Sequence, residues 1–180
     1  MTRRSQTTTS AIILWWLATA ATPSHADTVT DTFQVSATVE DGCVFGSGGS
    51  STVTDLGNID FGTLSAPGSV IDVSSSESAG SIVLTCTPGM SVTISIDYGL
   101  NGGSSSQRYL ALDNESLAYQ LYQDAARSQV WGSSADGLAK TVASFPETTT
   151  RYTVYARLNA VDSLPSAGIY TDTVVVTLSY

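Results

Sequence analysis

The sequence predicts an all-β protein, a sandwich or barrel of short strands. Two observations carry this. Runs of five to eight residues alternate apolar and polar side chains, the period of a strand with one buried face. Between them stand clusters of Ser, Gly, Asn, Asp and Pro, the residues that turns require.

The chain has 180 residues and a formal net charge of −9. Residues 1–26 read as a secretory signal peptide. Arg3 and Arg4 form the positive n-region, the stretch from Ala11 to Thr22 is apolar, and Ser24 and Ala26 are small residues at signal-peptidase spacing. The apolar stretch is shorter than the roughly 20 residues that a spanning helix needs. Without this leader the chain loses Arg3, Arg4 and its single histidine, His25, leaving five Lys/Arg against sixteen Asp/Glu. Such an acidic chain lacks the basic footprint of a nucleic-acid binder and is repelled by anionic membrane surfaces.

Residues 27–39 alternate. Val29, Phe33, Val35, Ala37 and Val39 share one parity, interrupted by Asp31. Two cysteines follow, Cys43 and Cys86, and an oxidising compartment makes them a disulfide by default. That bridge closes a loop worth about 4 kcal/mol in the chain-entropy account. A redox or metal pair would need closer spacing or extra ligands.

"SIVLTC" and "SVTISID" flank Thr87-Pro88-Gly89 and read as a hairpin. "RYLAL" and "SLAYQLY" flank Asp113-Asn114-Glu115 and read as another. The stretch "LAYQLYQDAARSQVWG" fits helical spacing as well, but its aromatics and period 2 favour a strand over Ser116–Gln123 and a turn over Asp124–Gln129. "RYTVYARL" reads as one strand, and so does the stretch from Tyr170 to Tyr180, with Val174, Val176, Leu178 and Tyr180 on one face. No turn follows Tyr180 in this sequence to return a partner. The segments "GSGGSS", "SSSES" and "GGSSS" are loops.

The residues offer little to catalysis. With His25 removed there is no histidine for a general base, a nucleophile–base dyad or a zinc site. Lys140, the only lysine, stands in a predicted loop. The acids are scattered through turns, and "DNES" at Asp113 lacks the ligand spacing of a Ca²⁺ loop. No enzyme, no cofactor and no metal are expected. The aromatics Tyr119, Tyr122, Trp131, Tyr152, Tyr155, Tyr170 and Tyr180 suit a core, or alternatively a sugar-binding platform with Trp131, beside Gly132, as its most exposed member.

"GNIDFG" (57–62), "CTPG" (86–89), "IDYGLN" (96–101), "LAYQLYQDAARSQVWG" (117–132), "YTVYARL" (152–158) and "GIYTDTVVVTLSY" (168–180) together resemble the spore coat protein U domain family, which includes subunits of archaic chaperone–usher pili. Ala156 stands where the family commonly has Gly, and Ser133 where an acid often follows Trp-Gly. The resemblance implies an incomplete immunoglobulin-like β-sandwich completed by a donor strand. It implies three partners: a periplasmic pilus chaperone, an outer-membrane usher, and other copies or related pilus subunits. On that reading residues 1–26 are the leader, 27–38 the donor segment and 39–180 the sandwich domain. Val29, Phe33, Val35 and Ala37 are the expected donor side chains; Val174, Val176, Leu178 and Tyr180 border the expected acceptor groove. The expected function is that of a secreted surface-fibre subunit, in the periplasm in transit and then at the cell surface, supporting attachment or biofilm formation. The alternatives are a self-contained secreted coat or matrix sandwich, and a carbohydrate-binding module.

Overall fold

The computed structural model describes residues 27–46, 55–65, 68–147 and 149–180; the expected leader lies outside them. The chain divides after Thr38 into two units. In the first, residues 27–38 are exposed throughout and form no strand. The alternating run of residues 27–39 thus forms no strand: its apolar side chains are exposed, and alternation alone does not hold a strand in water.

The second unit, residues 39–180, is all-β, with ten strands among the described residues. These are β1 (Cys43–Phe45), β2 (Ile71–Ser74), β3 (Ile82–Cys86), β4 (Val92–Ile96), β5 (Arg108–Leu112), β6 (Glu115–Tyr122), β7 (Lys140–Val142), β8 (Thr150–Tyr152), β9 (Tyr155–Leu158) and β10 (Val176–Ser179). They form three antiparallel sheets, ordered β1-β3-β8, β10-β4-β7 and β2-β9-β6-β5.

The core follows from alternation. In β3 and β4 every second residue is buried, giving Ile82, Leu84, Cys86, Val92, Ile94 and Ile96. β6 contributes Leu117, Tyr119 and Leu121, and β9 contributes Ala156 and Leu158. Trp131 and Phe145 fill the space between, and the indole Nε1 donates to Ile94 O at 3.0 Å.

Three local expectations change in the folded chain. β3 and β4 are consecutive but do not pair: β3 sits between β1 and β8, β4 between β10 and β7. The Thr87-Pro88-Gly89 turn thus crosses between sheets, which the Greek-key connections of sandwiches require and a local turn signal cannot reveal. "RYTVYARL" breaks at Thr153-Val154, pairing first with β3 and then with β6. Ser75 seals that corner: its amide donates to Val154 O and its hydroxyl accepts from Val154 N, each at 2.8 Å. Lys140, expected in a loop, begins β7.

The run expected as a strand from Tyr170 to Tyr180 joins two sheets. Thr171 bridges Ala111 of β5, whereas Val176–Ser179 pairs with β4. Between them Val175 N donates to Asp97 Oδ1 at 2.9 Å and its carbonyl accepts Asp97 N at 3.0 Å. The β5–β6 hairpin forms as expected, Leu112 opposite Glu115, with Asp113 in the left-handed region at φ 49°. Asp124 caps the turn that follows β6, accepting from Ser128 N and Gln129 N.

Candidate functional site

The sandwich is open along one side. A groove of about 1360 Å³ lies over side chains of the core. β6 supplies its floor through Leu117, Tyr119 and Leu121, β9 through Ala156 and Leu158. Val174 and Val176 stand along one border, beside Ile96. Residues 55–65 supply another border, where Leu56, Ile59, Phe61 and Leu64 are half-buried against the core.

Each border is positioned by identifiable contacts. Gly80 N donates to Leu56 O at 2.8 Å, and Gly57 bridges Ala79. Gly57 has φ +85°, and an added Cβ would collide with the Ser78 carbonyl, so glycine is required there. Phe61 meets Tyr119 edge to face at 6.3 Å between centroids. From Asn58 to Ser65 the segment forms no ladder; Gly62 N bonds only to Asp60 Oδ1. Among the described residues no ladder takes up this backbone, the condition under which an added strand gains hydrogen bonds.

The other border rests on a polar knot. Asp172 Oδ1 accepts from Leu100 N at 2.9 Å, Asn101 Nδ2 at 3.2 Å and Thr173 N at 2.9 Å. Its Oδ2 accepts from Tyr119 Oη at 2.7 Å. Burial and the Asp172 carboxylate push the Tyr119 hydroxyl far above its ordinary pKa. Behind the knot lies Arg108, fully buried, with Nη2 donating to Asp97 O at 2.6 Å and Trp131 O at 2.7 Å and Nη1 to Gln120 Oε1. Burial lowers the Arg108 pKa, yet guanidinium remains charged at any physiological pH.

Of the residues singled out from the sequence, Val174, Val176 and Leu178 are half-buried and pack on the core. Tyr180 is 66% exposed and lies beyond β10. Along β10 only one edge is hydrogen-bonded, to β4, among the described residues. Val29, Phe33 and Val35 are 92%, 87% and 82% exposed, and Ala37 is exposed as well. Cys43 and Cys86 are bonded at 2.04 Å and stand opposite one another in β1 and β3. Trp131, expected as the most exposed aromatic, is 1% exposed, which removes the centre of the sugar-binding platform. Its ring fits where β4 and β6 face each other, a contact with no local signature.

Two features escaped the sequence reading. One is the wall at Leu56, Ile59, Phe61 and Leu64, whose spacing matches neither a strand nor a helix. The other is the Tyr119–Asp172 pair, whose members lie 53 positions apart.

Comparison with solved structures finds a likeness to a chain in the crystal structure of the CsuC–CsuE chaperone–tip adhesion subunit pre-assembly complex, from the archaic chaperone–usher Csu pili of Acinetobacter baumannii. The TM-score is 0.52 at 23% identity, over 79% of this chain and 40% of that one, which shows a shared fold. The present chain thus spans well under half the length of that neighbour. No curated protein matches the chain. A model of the Spore Coat Protein U domain matches residues 29–177. With most of its length so matched, the chain belongs to the Spore Coat Protein U domain family.

Proposed function

We propose that this protein is a structural subunit of a chaperone–usher surface fibre, assembled by donor-strand exchange. The observation that carries the proposal is the open groove with an apolar floor, bordered by the run that leads into β10 and by residues 55–65. A β-strand with alternating apolar side chains fits such a groove by adding backbone hydrogen bonds on its edges and side chains on its floor. The exposed arm at residues 27–38 has that pattern in Val29, Phe33, Val35 and Ala37. Burying four such side chains is worth about 6–12 kcal/mol before ordering costs, and each added hydrogen bond contributes about 1 kcal/mol.

In this reading a periplasmic chaperone fills the groove first. At an outer-membrane usher, residues 27–38 of a neighbouring subunit replace it, while residues 39–180 form the acceptor body. The crystal structure to which the chain is similar contains a chaperone with a pilus subunit, which supports the first step. The fibre then stands at the cell surface, in attachment or biofilm formation.

The test is an unboiled denaturing gel of material sheared from expressing cells. A ladder that collapses to monomer on boiling is expected. Monomer alone, with and without boiling, would leave the self-contained coat protein as the better reading.

A further inference from the structure

The disulfide occupies a particular place in the path that tension takes. We propose that Cys43–Cys86 is a mechanical staple, which passes fibre tension around strand β1 and into the middle of its sheet. The proposal rests on the fibre reading, in which each subunit is pulled through its own N-terminal arm.

β1 by itself is a poor anchor. It has three residues, and among the described residues β3 is its one ladder partner. Around the ladder, Thr87 N donates to Gly42 O at 2.9 Å and Gly46 N to Val83 O at 2.8 Å. Tension entering at Gly42 loads these pairs one after another from that end, and each holds by only about 1 kcal/mol net. An edge strand so short peels readily.

The staple stands where the peel would begin. Cys43 is the first residue of β1 and lies opposite Cys86, next to the Gly42–Thr87 contact. A bridge at Phe45 would leave two ladder pairs to open first. From Cys86 the tension enters β3, the middle strand of β1-β3-β8, whose Ile82 and Leu84 are fully buried. Extracting a strand from the interior breaks two ladders and exposes core at once, whereas peeling an edge breaks one.

The placement also protects the groove. Residues 55–65 lie inside the covalent ring closed by the bridge, which spans 43 positions. Among the described residues their hold on the body is one amide bond from Gly80, the Gly57–Ala79 bridge and side-chain packing. Without the staple, the peeling of β1 would draw next on this wall. With it, tension bypasses Leu56, Ile59, Phe61 and Leu64, and a pull on a subunit's arm leaves its own groove in shape for its neighbour's strand.

The test holds sheared wild-type fibres slack or taut in optical tweezers and adds dithiothreitol. One thiolate attacks a cysteine sulfur and displaces the other cysteine as a thiolate. The second thiol then resolves the mixed disulfide, leaving two protein thiols and cyclic oxidised reagent. The expected result is reduction several-fold faster in taut fibres, in steps of up to roughly 140 Å as residues 44–85 enter the extended path. A rate equal in slack and taut fibres, or no steps at all, overturns the staple. The double variant Cys43→Ser/Cys86→Ser, where it assembles, is expected to lengthen at lower force, and an unchanged force–extension curve overturns the staple as well. If that variant does not assemble, reduction of wild-type fibres decides alone. If wild-type cells yield no fibre, the fibre reading falls and takes the staple with it; fibres with force-blind reduction remove the staple alone.

Discussion

Tyr119 of β6 donates its hydroxyl to Asp172 Oδ2 at 2.7 Å, tying the floor of the groove to the run that leads into β10. Asp172 lies outside the strands and 53 positions from Tyr119, so the bond holds the run into β10 against β6 at that point. Tyr119→Phe is expected to destabilise the chain by about 1.5–3 kcal/mol, the range for a hydrogen bond to a charged group. Asp172→Ala is expected to cost more, because Leu100 N, Asn101 Nδ2 and Thr173 N lose their acceptor too. Urea denaturation of the purified chain measures both.

Arg108 is a buried cation whose acceptors are backbone carbonyls and the Gln120 amide. Arg108→Met fills much of the same space but strands the Asp97 and Trp131 carbonyls. A loss of about 2–4 kcal/mol is expected, since each buried acceptor left unpaired costs roughly 1–3 kcal/mol. Arg108→Lys keeps the charge but not the fork that reaches Asp97 and Trp131 together, so it is expected to fall between wild type and Met. A variant as stable as wild type in urea would refute this role.

Acid is expected to weaken the fold. The Arg157 guanidinium, donating to both oxygens of Asp72 at 2.8 and 2.9 Å, holds that carboxyl below the usual carboxylate range, with Arg127 adding to it. Tyr170 and Ser166 do the same for Glu115. Groups with depressed folded-state pKa values stabilise fully above their unfolded values, near 4, and that contribution is lost as pH falls through the folded ones. The melting temperature is therefore expected to hold from about pH 7 to 5 and to drop below about pH 4. Asp72→Asn should flatten the drop.

Tyr170 reports on the same contact from the alkaline side. Its hydrogen bond to Glu115 pushes the phenol up to about 12. The contribution is present below the free phenol's value, about 10, and is lost as pH rises through the folded one. Glu115→Gln is expected to return Tyr170 toward 10, which an NMR titration of the tyrosine Cζ resonances measures.

Donor exchange predicts a block at one step. Phe33→Asp or Val35→Asp is expected to permit secretion and chaperone capture while abolishing the ladder on an unboiled gel. The charged residues lining the groove are Asp55, Asp60 and Asp172, so a donor carboxylate finds no cation there. Val176→Asp should fail earlier, at capture. Normal fibres from the Phe33 and Val35 variants would discard the donor assignment.

Much of the body was legible in the sequence because alternation is local. Ile82 to Cys86, Val92 to Ile96 and Leu117 to Leu121 show their buried faces residue by residue, and Asp113-Asn114 marks its own hairpin. The cysteines named each other because the chain contains only two. Pairing is not local. Nothing around Thr87-Pro88-Gly89 shows that the strands on its two sides enter different sheets, nor around Thr153-Val154 that one run serves two. The burial of Trp131 depends on β4 and β6 closing over it, and the groove on residues 55–65, β6, β9 and the run into β10 meeting from four parts of the chain. The sequence by itself determined which faces turn inward, since side-chain direction follows from the backbone of one strand. Only the tertiary structure decided which edges stay open, because an edge is free when no other segment reaches it, and that is a property of the whole packing.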